Sequence, residues 1–207
     1  MKKIIKAVIF DFGGVLSLQP DERKIQELCE TCNLDRKRFE QVYRKNRHDF
    51  DRGTLTAAEY WSEILQAGGV QSSSTAETCF HRDIELWTVI NKQVLEWFRL
   101  LKREGYTTAV LSNMPREILD HIVSMYSWIF EFDIRVFSCD HGLVKPEPQI
   151  YQTCLKALKV TPEEALFIDD YRENTEAAER LGLNVLTFQS MEKAGEILEQ
   201  RYGLPIL

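Results

Sequence analysis

The chain has 207 residues, 44% hydrophobic and 28% charged, with a formal net charge of −6. That is enough for one substantial core, or a core with a small inserted lobe, in an ordinary globular domain. The acidic balance argues against nucleic acid as the main partner, because phosphate backbones are bound by basic surfaces. No apolar run approaches a membrane span, and Met1-Lys2-Lys3-Ile4-Ile5-Lys6 lacks the apolar stretch and cleavage site of a signal peptide. A small-molecule partner, no membrane and a cytoplasmic location are therefore expected.

Val8, Ile9 and Phe10 form an unbroken apolar run, read as a strand buried on both faces. The run ends in Asp11, which places a carboxylate at the carboxyl end of the strand, where open α/β sheets bind ligands. Gly13 and Gly14 then allow a sharp turn and close backbone approach. By itself the stretch is equally a strand, a glycine turn and a solvated Asp cap.

From there helical spacing runs for about seventy residues. Asp21 to Leu34 is one amphipathic helix, and Asp35 caps a second that runs to about Phe50. Thr56-Ala57-Ala58-Glu59 is a capping box opening a third, ended by Gly68-Gly69. Thr75 to Trp87 is the fourth. Four successive helices interrupt an α/β alternation, so residues 17–88 are expected to form a helical lobe inserted in a core made of 1–16 and 89–207. There are five cysteines, an odd number. Cys29 and Cys32 make a C-x-x-C, but no second pair or His set completes a zinc site. With Ile25 and Leu28 they fall at i, i+3, i+4 and i+7, so core packing in a reducing compartment is expected.

Alternation resumes near Val89. A helix carrying Val94, Trp97, Phe98 and Leu101 leads to the strand Thr107–Leu111, which ends in Ser112-Asn113. After a helix from Pro115, Ile134–Phe137 is a third strand. Lys145-Pro146-Glu147-Pro148 approaches the next helix, and the strand Ala165–Ile168 ends in Asp169-Asp170. A helix from Asn174, the strand Asn184–Phe188 and a helix from Met191 complete a mostly parallel, doubly wound Rossmann-like sheet.

Asp11, Ser112, Asn113, Lys145, Asp169 and Asp170 all stand at strand ends or loops that can converge on one sheet edge. Three carboxylates held together repel one another and call for a cation. An oxygen-only site that also faces phosphate suits Mg²⁺. A hydroxyl, an amide and an ammonium group could cradle a phosphoryl group, and the set suggests phosphoryl transfer to an aspartate. Taken singly, Ser112 and Asn113 could merely cap a helix, and Lys145 could be solvated.

The ordered motifs VIFDFGGVL, VLSN, the lysine of KPEPQIY, and FIDDYREN resemble those of the haloacid dehalogenase-like superfamily, on its phosphatase side. The chain is similar to its α-glucose-1-phosphate phosphatase-like members with a helical cap. The resemblance implies a Mg²⁺-dependent phosphatase acting on a small phosphorylated metabolite, such as a sugar phosphate, through an aspartyl-phosphate. It implies Asp11 as nucleophile and metal ligand, with Gly13 giving its carbonyl to the metal. Asp169 would bind Mg²⁺ directly, and Asp170 through water or from behind. Ser112, Asn113, Lys145 and Gly14 would bind the phosphoryl group, with Ser112 and Lys145 also assisting the reaction.

One departure stands out. Most phosphatases of the superfamily carry a second Asp two residues after the nucleophile as general acid and base; here the position is Gly13. A positioned acid contributes ~10²–10⁴-fold, so a substrate with a good leaving group, a sugar 1-phosphate or acyl phosphate, is favoured. Two other readings share the fold: a phosphate-binding protein without turnover, and a 2-haloacid dehalogenase. The dehalogenases use no Mg²⁺ and have Ser-x-Asn in place of the paired carboxylates, so Asp169-Asp170 speaks against that reading.

Overall fold

The computed structural model describes residues 4–207. Its apolar runs become five strands: β1 (Ala7–Phe10), β2 (Thr107–Ser112), β3 (Ile134–Phe137), β4 (Ala165–Asp169) and β5 (Asn184–Thr187). They form a sheet in the order β3-β2-β1-β4-β5, with every pairing parallel. Between β1 and β2 lie α1 (Glu22–Thr31), α2 (Arg36–Lys45), α3 (Arg47–Asp51), α4 (Ala57–Ala67), α5 (Ser73–Leu86) and α6 (Lys92–Arg103). Then come α7 (Arg116–Met125), α8 (Ser138–His141), α9 (Pro148–Leu158), α10 (Arg172–Arg180) and α11 (Met191–Tyr202).

All four residues of β1 are buried because helices cover both sheet faces. Side chains alternate across the pleat. Val8 and Phe10 join Val110, Leu166 and Ile168 beneath Trp97, Phe98 and Leu101 of α6. Ala7 and Ile9 join Ala109, Leu111 and Phe167 beneath Ile150, Tyr151 and Cys154 of α9. Phe10 meets Trp97 edge-on at 5.4 Å between ring centroids and Phe132 at 5.9 Å, anchoring the end of the strand that carries Asp11.

From β1 the chain moves outward through β2 to β3, then crosses back to the other side of β1 for β4 and β5. The carboxyl ends of β1 and β4 therefore lie side by side, with Phe10 level with Ile168 and the Asp11 N–H donating to the Ile168 carbonyl at 2.9 Å. A reversal of this kind opens the crevice in which α/β sheets bind ligands.

The insert holds five helices where apolar spacing predicts four. The second predicted helix divides at Asn46, whose backbone is non-helical (φ −115°, ψ 18°) and whose amide donates to Glu63 of α4. An Asn side chain that finds a partner off the helix competes with the helical backbone. The Thr56–Glu59 capping box forms as expected, and α5 starts two residues before the predicted Thr75, capped by Ser72. The two chains that enter and leave the insert run side by side: Ser17 bridges Ile90, Leu18 N–H donates to the Val89 carbonyl at 2.7 Å, and Asn91 N–H donates to the Leu16 carbonyl at 2.9 Å. Leu28, Cys29 and Cys32 are buried as the spacing requires, and Cys32 Sγ lies 3.6 Å from Cys79 Sγ of α5. Among the described residues no helix is long and apolar enough to cross a membrane.

Candidate active site

Asp11 emerges from β1 into a tight turn. Its Oδ1 accepts the Phe12 N–H at 2.7 Å. Three residues past Asp11, Gly14 takes a left-handed conformation (φ 69°), and a Cβ there would lie 2.4 Å from Gln19 Nε2 and 2.5 Å from Asp170 Oδ2. Glycine is thus required both by backbone angle and by space. Gly13 differs: its angles (φ −66°, ψ 132°) suit any residue, and what constrains it is the Trp87 ring, 3.2 Å from where a Cβ would sit.

Lys145 joins the two strand ends. Its Nζ lies 2.8 Å from Asp11 Oδ1 and 2.6 Å from Asp169 Oδ2, and the residue is 1% exposed. Asn113, just past β2, holds the Lys145 backbone from both sides: Lys145 N–H donates to Asn113 Oδ1 at 2.7 Å, and Asn113 Nδ2 donates to the Lys145 carbonyl at 2.9 Å. The Asn113 side chain is therefore engaged in placing Lys145, and its main-chain N–H is a further donor beside it. Ser112 is buried at the end of β2, one strand from Asp11.

Asp169 is fully buried and accepts from Tyr171 N at 2.7 Å and from Asn174 Nδ2 at about 3 Å as well as from Lys145. Asp170, partly exposed, accepts from Gln19 Nε2 at 2.7 Å. Asp11, Asp169 and Asp170 each offer a carboxylate oxygen, and these atoms lie within 4.8 Å of one another. Burial pushes the Asp11 carboxyl well above its ordinary value; Lys145 opposes that, and Asp169 and Asp170 add to it. Burial and then Asp169 likewise raise Asp170. Burial alone would lower the Lys145 ammonium, but Asp11 and Asp169 outweigh it and keep the group charged. Three carboxylates around one ammonium leave excess negative charge, and hard oxygen donors at this spacing fit a small divalent cation.

The strand-end residues singled out from the sequence thus meet at one edge. Gln19 and Asn174, which orient the two terminal carboxylates, carry no strand-end or periodic signal, whereas Trp87, a cap aromatic expected among those facing the site, stands against Gly13. Ser138 is a further hidden tie: its Oγ accepts the Met114 N–H at 2.8 Å and donates to the Asp51 carbonyl, linking the loop after β2 to α3 of the insert. Arg52 adds a second link, 2.9 Å from Glu147, two residues beyond Lys145. Within the insert Tyr43 and Arg47 belong to a buried cluster: Asp83 accepts from Tyr43 Oη at 2.7 Å, and Arg47 pairs with Asp51 at 2.9 Å. Tyr60 and Trp61 are core residues of the helices, 1% and 0% exposed.

Comparison with known proteins agrees with this arrangement. The family model for haloacid dehalogenase-like hydrolases matches residues 5–182. Bifunctional epoxide hydrolase 2 of Rattus norvegicus is 34% identical over 96% of the chain, which spans only 39% of that protein's length. D-ribitol-5-phosphate phosphatase of Bacteroides thetaiotaomicron is 25% identical over 90% of the chain and 92% of its own length. A haloacid dehalogenase-like enzyme of Bacteroides thetaiotaomicron, solved with magnesium and inorganic phosphate, superposes with a TM-score of 0.71 at 24% identity, covering 89% of this chain and 94% of its own. With the motifs, the strand order and a family model spanning most of its length in agreement, the chain belongs to the haloacid dehalogenase-like hydrolases.

Proposed function

We propose that the chain is a Mg²⁺-dependent phosphatase of a small phosphorylated metabolite, working through an aspartyl-phosphate on Asp11. The observation that carries this is the Asp11–Lys145–Asp169 chain of contacts, 2.8 Å and 2.6 Å, with Asp170 alongside at the paired ends of β1 and β4. Names among the relatives support the class, since a D-ribitol-5-phosphate phosphatase is similar over nearly its full length.

Both fixed contacts of Asp11 fall on Oδ1, so Oδ2 is the oxygen available for attack. Its bond to phosphorus forms as the bond to the leaving oxygen breaks; water then attacks phosphorus, releasing inorganic phosphate and regenerating the carboxylate. Lys145 screens the approach of a phosphate dianion to a buried carboxylate. Ser112 and the Asn113 main-chain N–H hold phosphoryl oxygens. Asp11, Asp169, Asp170 and the Gly13 carbonyl would hold Mg²⁺, which when bound neutralises charge on the phosphoryl oxygens. Residues 17–88 act as a cap over the core and keep bulk water from the reacting atoms. The paired Asp169-Asp170 favours phosphate over haloacid chemistry.

The test is a panel of phosphate monoesters, beginning with p-nitrophenyl phosphate, assayed with Mg²⁺ and with EDTA. Hydrolysis that requires Mg²⁺ is expected. Bound Mg²⁺ with no turnover of any ester would indicate a phosphate-binding protein, and EDTA-resistant turnover of a 2-haloacid would indicate a dehalogenase.

A further inference from the structure

Gly13 needs no glycine for its backbone, yet a side chain there would crowd its neighbour. The three heavy atoms nearest to its missing Cβ are all carbons of the six-membered ring of Trp87: Cζ3 at 3.2 Å, Cε3 at 3.4 Å and Cη2 at 3.9 Å. Trp87 closes the last turn of α5, in which Asp83 is fixed by Tyr43 at 2.7 Å and by Arg47 at 3.4 Å. Asp83 is 0% exposed and Arg47 also grips Asp51, so a buried ionic cluster spanning α2, α3 and α5 anchors the end of the helix that Trp87 caps. Trp87 itself is only partly buried.

We propose that Trp87 is a specificity-determining residue of this site: its ring fills the space beside Gly13, so that the leaving group departs along an apolar wall. This rests on the phosphatase reading and deepens it by naming the substrate class. The bond between phosphorus and the leaving oxygen breaks with its electron pair going to that oxygen, which leaves as an anion and takes its proton from water. Acyl phosphates and sugar 1-phosphates tolerate this, because their leaving oxygens are weakly basic; simple alkyl phosphates do not. The wall adds a second preference, since an indole ring packs against the C–H face of a sugar or an aryl group. A carboxyl at position 13 would press on Trp87, so restoring one calls for shortening Trp87 as well.

Two measurements test this together. The first is thermal unfolding of wild type, Gly13→Ala, Trp87→Leu and the double variant, without metal. Gly13→Ala should lower Tm by about 2–6 °C in wild type, as mild overpacking does, and by much less in the Trp87→Leu background. Equal losses in both would show that Trp87 is not what excludes a side chain. The second is kcat/KM for a series of aryl and alkyl phosphates of rising leaving-group pKa, with Mg²⁺. Wild type should fall steeply along the series. Gly13→Asp with Trp87→Leu should narrow that fall by about tenfold or more, a share of the ~10²–10⁴-fold that a positioned acid contributes, whereas Gly13→Asp alone should not. A flat wild-type series, or equal narrowing with Trp87 intact, overturns the assignment. If wild type turns over no phosphate at all, the phosphatase reading fails and the substrate class with it, while the Tm cycle still decides the Trp87–Gly13 contact.

Discussion

Lys145 Nζ stands 2.6 Å from Asp169 Oδ2, and neither side chain reaches solvent: they are 1% and 0% exposed. With Asp11 at 2.8 Å on the other side, the ammonium group neutralises carboxylates from two different strands. The chemistry of the site and the stability of the sheet edge therefore depend on the same cation.

Lys145→Met should show this dependence. Removing one partner of a buried ion pair leaves charge uncompensated and costs about 3–5 kcal/mol. Urea unfolding in metal-free buffer near neutral pH should report a loss of that order, and millimolar Mg²⁺ should restore part of it. Lys145→Arg should not rescue activity, because a planar fork cannot replace a compact ammonium in a buried slot.

Gly14→Ala and Gln19→Ala separate strain from metal binding. The first forces a side chain into a left-handed backbone and against Gln19 and Asp170, and should cost about 1–2 kcal/mol of stability. The second removes only the hydrogen bond that orients Asp170. It should leave the unfolding midpoint nearly unchanged and weaken Mg²⁺ binding by about tenfold, as loss of an outer partner does. Calorimetric Mg²⁺ titration beside urea unfolding of each variant checks both.

Asp133 gives a pH dependence away from the site. Burial works against its charge, but Lys102 at 2.7 Å and Thr108, through N–H at 2.8 Å and Oγ1 at 2.9 Å, hold its carboxyl below the ordinary 3.8. The unfolded chain then binds the proton more readily, so the contribution is complete above that ordinary value and is lost as pH falls through the folded one. Asp133→Asn should be less stable than wild type by under about 1 kcal/mol near neutral pH, because the pair is partly exposed. The difference should shrink toward zero in acid; a difference that stays constant from about pH 7 to about pH 3 would contradict the assignment.

Strand ends were readable because an apolar run stopped by a carboxylate has few meanings: Asp11 and Asp169 each close a run that became a central strand. Lys145 was readable only through its motif, since nothing local shows that Asn113, 32 residues away, clasps its backbone. Gln19 is hidden for a different reason: it lies in an exposed loop and gains meaning from Asp170, which the fold brings close. The break at Asn46 falls within Arg44-Lys45-Asn46-Arg47-His48, a polar run with no apolar spacing to interrupt. Cys32 could be placed on a buried face, but its neighbour Cys79 belongs to another helix.

The most direct test is to quench turnover of a radiolabelled phosphate ester in acid and locate the label. Label on the peptide containing Asp11, released by hydroxylamine and absent from Asp11→Asn, which should fold normally and not turn over, is the predicted result. Turnover without label at Asp11, or retained by Asp11→Asn, would contradict covalent catalysis at this position.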